Sequence, residues 1–288
     1  MIVRIIIIIL TFILFYQLRK KYEYFQEEIL VVDFIGGLGN QLFFLACAFE
    51  YSKKYNKKLI IKQKKNISSY GKNRIFNKII YKNFNIQNIE TKNFKILNEK
   101  NLNSYIPNNL VLSKKEYFQD YNLSLKTRKD FIKKIYFGTE NKLKNLLKKY
   151  KVISNKINVC IHIRYSDDFT PSNWDGIYSS TELNIIKNNC VKNYQENNIL
   201  IFSNDQDKTK KYFDKLKNIN FVQENDYEEL YIMSKCNIYY CSPSTFNWWG
   251  IYLNLNPDKV YLLWENNTKI RNDLYKNYEY LGKKLKFT

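Results

Sequence analysis

Residues 29–41 read ILVVDFIGGLGNQ, an apolar run that passes directly into three glycines and two amide side chains. The apolar run is typical of a buried parallel strand, and the stretch from 42 to 51 is typical of a helix. Residues 59–61 form the next predicted strand. Strand, glycine loop, helix and strand in this order open a doubly wound α/β unit, in which ligands bind beyond the carboxyl ends of the strands.

The second half of the chain alternates between strand and helix patterns, which predicts a second nucleotide-binding-like sheet. The predicted strands cover 157–163, 199–202, 221–222, 237–241 and, as the last strand, 259–263. The predicted helices cover 181–194, 208–216, a segment with Asp226 as its N-cap, and 244–253.

The rest of the chain is less regular. Residues 62–129 show no clear period and are predicted to be loops and short elements, whereas 130–151 show two amphipathic helical stretches. These patterns divide the chain into a membrane anchor, a short stem and two Rossmann-like domains, at 1–21, 22–28, 29–152 and 153–288.

The composition indicates a folded chain with an excess of positive charge. Its 288 residues are 45% apolar and 17% aromatic, enough to fill a sizeable core, which argues against disorder of the whole chain. The formal net charge of +20 indicates an anionic partner, such as a nucleic acid, a lipid surface or a phosphorylated ligand. A base-composition bias that favours Lys, Asn, Ile and Tyr explains the same charge equally well.

The first residues predict a membrane anchor. Residues 5–18 are almost unbroken hydrocarbon and are followed by Arg19, Lys20 and Lys21. As a helix this core spans roughly 21 Å of a hydrocarbon layer ~30 Å thick, and residues 1–4 nearly complete the span. An uncleaved anchor is favoured over a signal peptide because no small residues mark a cleavage site. A single-pass membrane protein is therefore expected, with flanking charges that favour a cytosolic body and sequons that suit a lumenal one.

The cysteine and histidine content argues against metal and disulfide chemistry. The five cysteines are an odd number without CxxC spacing, so neither a zinc site nor a disulfide framework is expected. Cys47 and Cys160 lie in apolar patterns and are predicted to be core residues. His162 is the only histidine, which excludes a His-rich metal site.

The glycine loop is the first of four polar clusters that follow predicted strands. Gly36, Gly37 and Gly39 permit positive φ angles and close approach of the backbone, and amides at the start of the following helix can receive an anion. A tight turn alone needs one or two glycines. Three glycines with two amide side chains therefore favour contact with a ligand.

The second cluster lies in residues 159–168, which read VCIHIRYSDD. Arg164 suits a diphosphate because its guanidinium donates two parallel hydrogen bonds, and His162 suits a nucleotide base. The structural alternatives are a satisfied histidine at a strand end and a surface ion pair between Arg164 and Asp167.

The third and fourth clusters follow later strands. Asp205 ends the sequence FSND and suits the donor edge of guanine or ribose hydroxyls, unless it only caps the next helix. Ser244 and Thr245 begin a predicted helix, where hydroxyls and free amides can bind a phosphate, unless Ser244 is an ordinary N-cap. Trp248 and Trp249 are predicted to pack in the core rather than to stack on a sugar.

Together the four clusters resemble the α-1,2-fucosyltransferases, which are related to the α-1,6- and protein O-fucosyltransferases. The loop GGLGNQ, the box H-x-R-x-x-D, the strand end FSND and the helix STFxWWG occur in the family's order between residues 29 and 263. The resemblance implies an α/β fold of the GT-B type, with two Rossmann-like domains facing across a cleft. The N-terminal domain would lie on the acceptor side, and the C-terminal domain would bind the donor. It also implies inverting transfer of fucose from GDP-fucose to a glycan, α-1,2 to a galactoside, without a metal or another cofactor, and in this family a lumenal ER or Golgi orientation.

The resemblance further implies roles for single residues. Asn40 would reach the donor from the N-terminal domain. Residues of the C-terminal domain would bind the rest of it: Arg164 at the diphosphate, His162 and Asp205 at the guanosine, and Ser244, Thr245 and Phe246 at the β-phosphate.

This chain also departs from the family. The box usually reads H-x-R-R-G-D, but Tyr165 and Ser166 replace its second arginine and its glycine. Asn204 stands where an aspartate is common, and Pro243 where an asparagine is common. These differences leave open a GT-B enzyme that uses another sugar nucleotide.

An inverting transfer requires a base for the acceptor hydroxyl. The candidates for this base are Asp167, Asp168 and Asp33. Of the three, Asp167 is assigned with Arg164 to the catalytic residues. An alternative of another class is a basic, membrane-tethered protein that binds nucleic acid or anionic lipid; for the transferase, no nucleic-acid partner is expected.

Overall fold

The fold is known from a computed structural model that describes most of the chain. The described residues are 11–17, 28–69, 72–75, 78–116, 118–119, 127–136, 138–152, 155–165, 180–194, 196–213, 216, 218–241, 244–262 and 284–286. Ser166, Asp167, Asp168 and Pro243 therefore lie outside the described residues.

The first part of the chain builds a parallel sheet of five strands. In order it contains β1 (Ile29–Val32), α1 (Leu38–Tyr55), β2 (Lys58–Lys62), β3 (Asn66–Ser69), β4 (Lys72–Ile75), α2 (Lys78–Tyr81), β5 (Asn85–Gln87), β6 (Lys95–Leu97), a 3₁₀ turn (Glu99–Asn101) and β7 (Leu110–Leu112). The strands lie in the order β5-β2-β1-β7-β6. β3 and β4 form a separate antiparallel pair.

The second part builds a parallel sheet of six strands. Two helices, α3 (Arg128–Tyr136) and α4 (Glu140–Lys149), precede β8 (Asn158–Ile163), α5 (Ser180–Tyr194), β9 (Asn198–Ser203), α6 (Gln206–Phe213), β10 (Ile219–Val222), α7 (Asp226–Met233), β11 (Ile238–Cys241), α8 (Thr245–Tyr252), β12 (Lys259–Leu262) and β13 (Lys284–Lys286). The order β10-β9-β8-β11-β12-β13 corresponds to 3-2-1-4-5-6, the order of dinucleotide-binding Rossmann sheets. The predicted α/β fold with parallel sheets is thus confirmed, while the predicted domain limits stay predictions.

Alternation along β8 separates two apolar cores. The odd-numbered residues from 159 to 163 pack with α5 in one core. Cys160 belongs to the other core, which also contains Leu30 of β1 and Trp249 of α8. Because side chains two apart share a face of a strand, His162 lies on the Cys160 side of the sheet. One continuous core therefore joins the two sheets, and His162 faces it.

The N-terminal ends of α1 and α8 meet in this shared core. The ring of Phe43 lies 4.7 Å from that of Trp248 and 5.1 Å from that of Trp249. A Cβ atom on Gly39 would lie 2.6 Å from the backbone nitrogen of Phe246, and equally close to the carbonyl carbon and Oγ1 of Thr245. A glycine is required at position 39 because any side chain would separate the two helices.

Arg128 joins α3 to the other end of α8. Its guanidinium donates to the carbonyl oxygens of Tyr252 at 2.8 Å and Asn254 at 2.9 Å. The same group lies 4.5 Å from the centre of the Tyr252 ring. The last carbonyls of a helix have no partner within the helix, and Arg128 supplies hydrogen bonds and a cation–π contact there.

Two details of the predicted elements were wrong, and one was incomplete. Residues 62–129 contain short elements as predicted, but three of these, β5, β6 and β7, are strands of the first sheet. β13 follows the strand that was predicted to be the last. These strands have three residues each, too few for an apolar period to be visible. The N-cap of α7 is Asn225, whose side chain accepts from the Glu228 amide, and not Asp226.

The predicted membrane anchor was also wrong. Residues 11–17 are helical and exposed. Within the parts of the chain that the structure describes, no helix combines the length and the apolar character that crossing a membrane requires. The expectation of a single-pass membrane protein is therefore contradicted. Residues 1–10 and 18–21 of the predicted anchor lie outside the described residues.

The contact at Gly39 predicts the effect of a single added methyl group. We expect Gly39→Ala to lower the free energy of unfolding by about 1–3 kcal/mol, as for other groups forced into a packed interior. Urea unfolding followed by tryptophan fluorescence measures the change. Gly37→Ala is the control in the same loop, since Gly37 has a φ of −71° that alanine adopts readily. Equal stability of Gly39→Ala and the wild type would contradict the close contact.

Candidate active site

In each sheet, successive strands are added first on one side of the initial strand and later on its other side. Ligands of α/β proteins bind in the crevice at the point where this direction reverses. In the second sheet the reversal lies between β8 and β11, and in the first between β1 and β7. The predicted site residues follow these very strands: Gly36 comes after β1, Arg164 after β8 and Ser244 after β11. The topology thus puts the sequence motifs at both crevices.

The glycine loop is held by the second amide of its motif. Gly36 has a φ of +78°, a left-handed conformation that favours glycine. Gln41 Nε2 donates to the Gly36 carbonyl oxygen at 2.8 Å, and Gln41 Oε1 accepts from the hydroxyl of Tyr81 at 2.6 Å. Gln41 therefore shapes the loop.

Asn40, the first amide of the motif, is buried and oriented by a residue that the sequence did not single out. Gln119 Nε2 donates to Asn40 Oδ1 at 3.2 Å. Gln119 lies in a stretch without a readable pattern, so nothing in the sequence signalled this bond. Asn40 occupies the helical turn that also contains Gly39, beside the start of α8.

The start of α8 is both an N-cap and a neighbour of the glycine loop. Ser244 Oγ accepts from the Phe246 amide at 3.3 Å, so the N-cap interpretation of Ser244 is correct. The contacts of Gly39 with Thr245 and Phe246 bring the glycine loop against this helix end. The first and fourth polar clusters, which are far apart in sequence, therefore lie next to each other and form one site.

His162 lies at the same site, and its imidazole ring is neutral. It is buried, and its ring centre lies 6.0 Å from that of Phe246. Burial, together with the positive charge of Arg164, lowers the pKa of His162 from 6.5 to about 3. A group with this pKa is too weak a base for general base catalysis near neutral pH. The ring can still form hydrogen bonds with an uncharged part of a ligand.

Arg164 is partly buried, and the backbone of Tyr165, the next residue, is fixed by two reciprocal hydrogen bonds with the side chain of Asn204. The Tyr165 amide donates to Asn204 Oδ1 at 2.7 Å, and Asn204 Nδ2 donates to the Tyr165 carbonyl oxygen at 3.1 Å. Tyr165 is 1% exposed, and its hydroxyl lies 3.3 Å from Thr209 Oγ1. Tyr165 therefore packs in the core and does not replace the missing arginine as a ligand-binding group.

Asp205 acts as the cap of α6. Its Oδ1 accepts from the Lys208 amide at 3.0 Å, and its carbonyl oxygen accepts from Thr209 Oγ1 at 2.7 Å. The capping alternative for Asp205 is therefore observed. Its predicted contact with guanosine stays a prediction.

Asp33 is the only base candidate among the described residues, and its surroundings weaken it as a base. Lys114 Nζ lies 2.6 Å and Lys62 Nζ 3.8 Å from Asp33 Oδ2, while Lys64 pairs with Oδ1. Burial raises the pKa of Asp33, but hydrogen bonds from Lys114 and Lys64 outweigh it and leave the pKa below its usual value. A carboxylate that holds its charge this firmly takes up a proton poorly.

Both tryptophans of α8 are fully buried, which confirms them as core residues. Cys47 and Cys160 are buried free thiols, which confirms their prediction as small core residues.

The arrangement of two parallel sheets is that of solved fucosyltransferases. Fucosyltransferase NodZ from Bradyrhizobium superimposes with a TM-score of 0.56 at 11% identity, over 82% of this chain and 96% of NodZ. POFUT1 in complex with GDP-fucose superimposes with a TM-score of 0.50 at 10% identity, over 81% of this chain and 97% of POFUT1. At such low identity the likeness defines the class of fold.

The chain belongs to glycosyl transferase family 11, whose family model matches residues 54–281. The protein is thus a glycosyltransferase, as predicted. Among its relatives, the O-antigen biosynthesis glycosyltransferase WbnK of Escherichia coli is 25% identical over 280 residues, covering 78% of this chain and 90% of WbnK. An alpha-1,2-colitosyltransferase of Escherichia coli is 26% identical over 264 residues, covering 78% of this chain and 88% of that enzyme.

Asn204 forms two hydrogen bonds with the backbone of Tyr165, the residue after Arg164. We therefore predict that Asn204 positions Arg164. Asn204→Asp keeps the shape but cannot donate to the Tyr165 carbonyl oxygen, so the segment that carries Arg164 loses one of its two bonds. We expect GDP to bind about tenfold more weakly, the effect of a lost hydrogen bond worth about 1.4 kcal/mol. Isothermal titration calorimetry with GDP measures it.

Asn254→Asp is the matched control for Asn204→Asp. Asn254 Nδ2 donates to the Cys236 carbonyl oxygen at 2.6 Å, after the end of α8 opposite to Ser244. The same loss of a donor there is expected to lower stability and to leave GDP affinity unchanged. Equal GDP affinities of all three proteins would show that Asn204 has no positioning role.

The lowered pKa of His162 predicts a pH dependence of stability. The unfolded chain takes up a proton on His162 below about pH 6.5, whereas the folded chain does so only below about pH 3. Acidification through this window therefore favours unfolding. We expect the urea midpoint to fall less between pH 7 and pH 4.5 in His162→Gln than in the wild type. Parallel pH profiles of the two proteins would contradict the neutral, buried histidine.

Proposed function

We propose that this glycosyltransferase transfers fucose from GDP-fucose to a hydroxyl of a galactose-containing glycan, with an α-1,2 linkage and inversion at the anomeric carbon. The observation that carries the proposal is the contact of Gly39 with Thr245 and Phe246. It joins the glycine loop of one sheet to the helix end that the motifs assign to the β-phosphate. Two proteins with this fold support the donor, since NodZ was co-crystallised with GDP and POFUT1 was solved with GDP-fucose.

The leaving diphosphate needs positive charge, because negative charge grows on it as the sugar acquires oxocarbenium character. Arg164, partly buried after β8, supplies a guanidinium with paired donors. The first turn of α8 supplies backbone amides and the positive end of the helix dipole. Together these groups can neutralise the diphosphate, as a divalent cation does in other transferases. We therefore propose transfer without a metal.

The uncharged parts of the donor suit His162 and Phe246. A neutral imidazole has one donor and one acceptor nitrogen, which fits the edge of a nucleoside better than an anion. Phe246 adds an apolar face beside it. Asp205 remains our candidate for the donor edge of guanine.

The catalytic base is proposed to be Asp167. It follows Arg164 by three residues, and in the family box this aspartate closes the motif. Asp33 is the weaker candidate because its lysine partners lower its pKa.

A second candidate donor carries colitose instead of fucose. One relative is named alpha-1,2-colitosyltransferase, and this name also supports the α-1,2 linkage. Competition between GDP-fucose and the colitose nucleotide for the same site separates the two donors, since the true donor gives the higher kcat/KM.

A transfer assay tests the proposal. The protein is incubated with GDP-fucose and a panel of β-galactosides in excess EDTA, and products are analysed by NMR. We expect an α-1,2-linked fucoside at a rate that EDTA does not change. The absence of both transfer and GDP release would refute the donor, and a rate restored only by added Mg²⁺ would refute metal independence.

Arg164→Ala tests the diphosphate contact. We expect GDP to bind about 30-fold more weakly or worse, since removing one partner of a charge-assisted pair costs about 2 kcal/mol or more. Calorimetric titration measures this, with circular dichroism to establish folding. Lys210→Ala is the control, because it also removes one positive charge. Lys210 is an exposed residue of α6, a helix that connects two strands of the second sheet. An unchanged GDP affinity in Arg164→Ala would refute the assignment.

A further inference from the structure

The crevice of the first sheet contains a cationic cluster that the donor site leaves unused. Asp33 follows β1, Lys62 ends β2, Lys64 comes two residues later, and Lys114 follows β7. We call these four residues the lysine cluster. β1 and β7 flank the place where the strand order of this sheet reverses. The lysine cluster therefore occupies the position at which α/β sheets bind ligands.

The lysine cluster is built around one buried carboxylate. The Asp33 side chain is 3% exposed, and Lys114, Lys64 and Lys62 all face it. Lys64 also donates to the Phe34 carbonyl oxygen at 3.1 Å, which fixes its position. One negative charge balances one ammonium group, so the cluster carries an excess of two positive charges.

This excess distinguishes the cluster from an ordinary ion pair. Three ammonium groups gathered around one carboxylate repel one another, and the repulsion is stronger at a partly buried site than in water. A single lysine would satisfy Asp33 without that repulsion. The side chains of Lys62, Lys64 and Lys114 are 27%, 23% and 50% exposed, so an approaching group can still contact them.

The position of the cluster indicates the substrate that would use it. Motifs for the donor follow β8 and β11 of the second sheet, whereas the cluster follows β1, β2 and β7 of the first. Asp33 precedes Gly36 by three residues, and the loop that begins there reaches Thr245 at the start of α8. The glycine loop therefore connects the lysine cluster on the first sheet with the start of α8, to which the donor is assigned.

We propose that the lysine cluster binds an anionic group, a carboxylate or a phosphate, on the glycan acceptor. Asp33 serves as the template that holds the three ammonium groups together, and its lowered pKa agrees with a permanent charge. The inference rests on the proposed function, because it assumes that the second sheet binds the nucleotide and the first sheet the acceptor.

A matched pair of acceptors tests the proposal. Methyl β-galactoside and methyl β-galactosiduronate differ only in a carboxylate at C6, and each is titrated calorimetrically into the protein saturated with GDP. We expect the acidic acceptor to bind about tenfold more tightly, the ratio that one charge-assisted hydrogen bond supplies. The double variant Lys62→Gln/Lys114→Gln is expected to lose this preference and to keep its affinity for GDP. Lys64 is left in place because it also binds the backbone.

The control variant removes two lysines that form ion pairs elsewhere. In Lys53→Gln/Lys142→Gln the partners are Asp130 and Glu228, and the net charge falls by the same amount. We expect this variant to keep the wild-type preference for the acidic acceptor. Loss of the preference in both variants would assign it to overall charge and overturn the proposal.

Two further outcomes overturn the proposal, and both leave the proposed function standing. In the first, the wild type binds the two acceptors equally. In the second, Lys62→Gln/Lys114→Gln loses affinity for GDP, which would make the cluster part of the diphosphate site. Failure of the proposed function looks different, since the wild type would then bind no GDP at all.

Discussion

The close contact between the two helix ends at Gly39 is the constraint on which the site depends. The N-terminus of α1 can approach that of α8 only because position 39 has no side chain. Aromatic packing of Phe43 on Trp248 and Trp249 secures the approach from within the core. Arg128 ties the far end of α8 to α3. Polar residues at the strand ends of the two sheets are thereby held next to one another.

Charge is divided between the strand ends of the two sheets. On the second sheet, Arg164 and the amides of α8 offer positive charge, while His162 beside them is kept neutral by burial. On the first sheet, Asp33 gathers lysines instead of acting as an isolated base. The proposed transfer uses this division, with the leaving diphosphate at the second sheet and the acceptor at the first.

Much of this arrangement could be predicted from local sequence patterns. The apolar runs of β8 and β11 end where His162, Arg164 and Ser244 begin, and parallel strands expose such residues at one edge. Apolar content alone predicted a membrane anchor, whereas no helix among the described residues is long and apolar enough to span a membrane. The three-residue strands of the first sheet were missed because a period needs more positions than they have.

Patterns of neighbouring residues were sufficient to predict the two α/β halves, the family and the polar groups at strand ends, because each of these depends on neighbours along the chain. The strand orders, the hydrogen bonds of Asn204 and Gln119, the protonation of His162 and the lysines around Asp33 became visible only in the folded chain. Asn204 lies 39 residues from Tyr165, and Gln119 lies 79 residues from Asn40. Contacts across such separations, and the burial that sets a pKa, arise only when the sheets pack together.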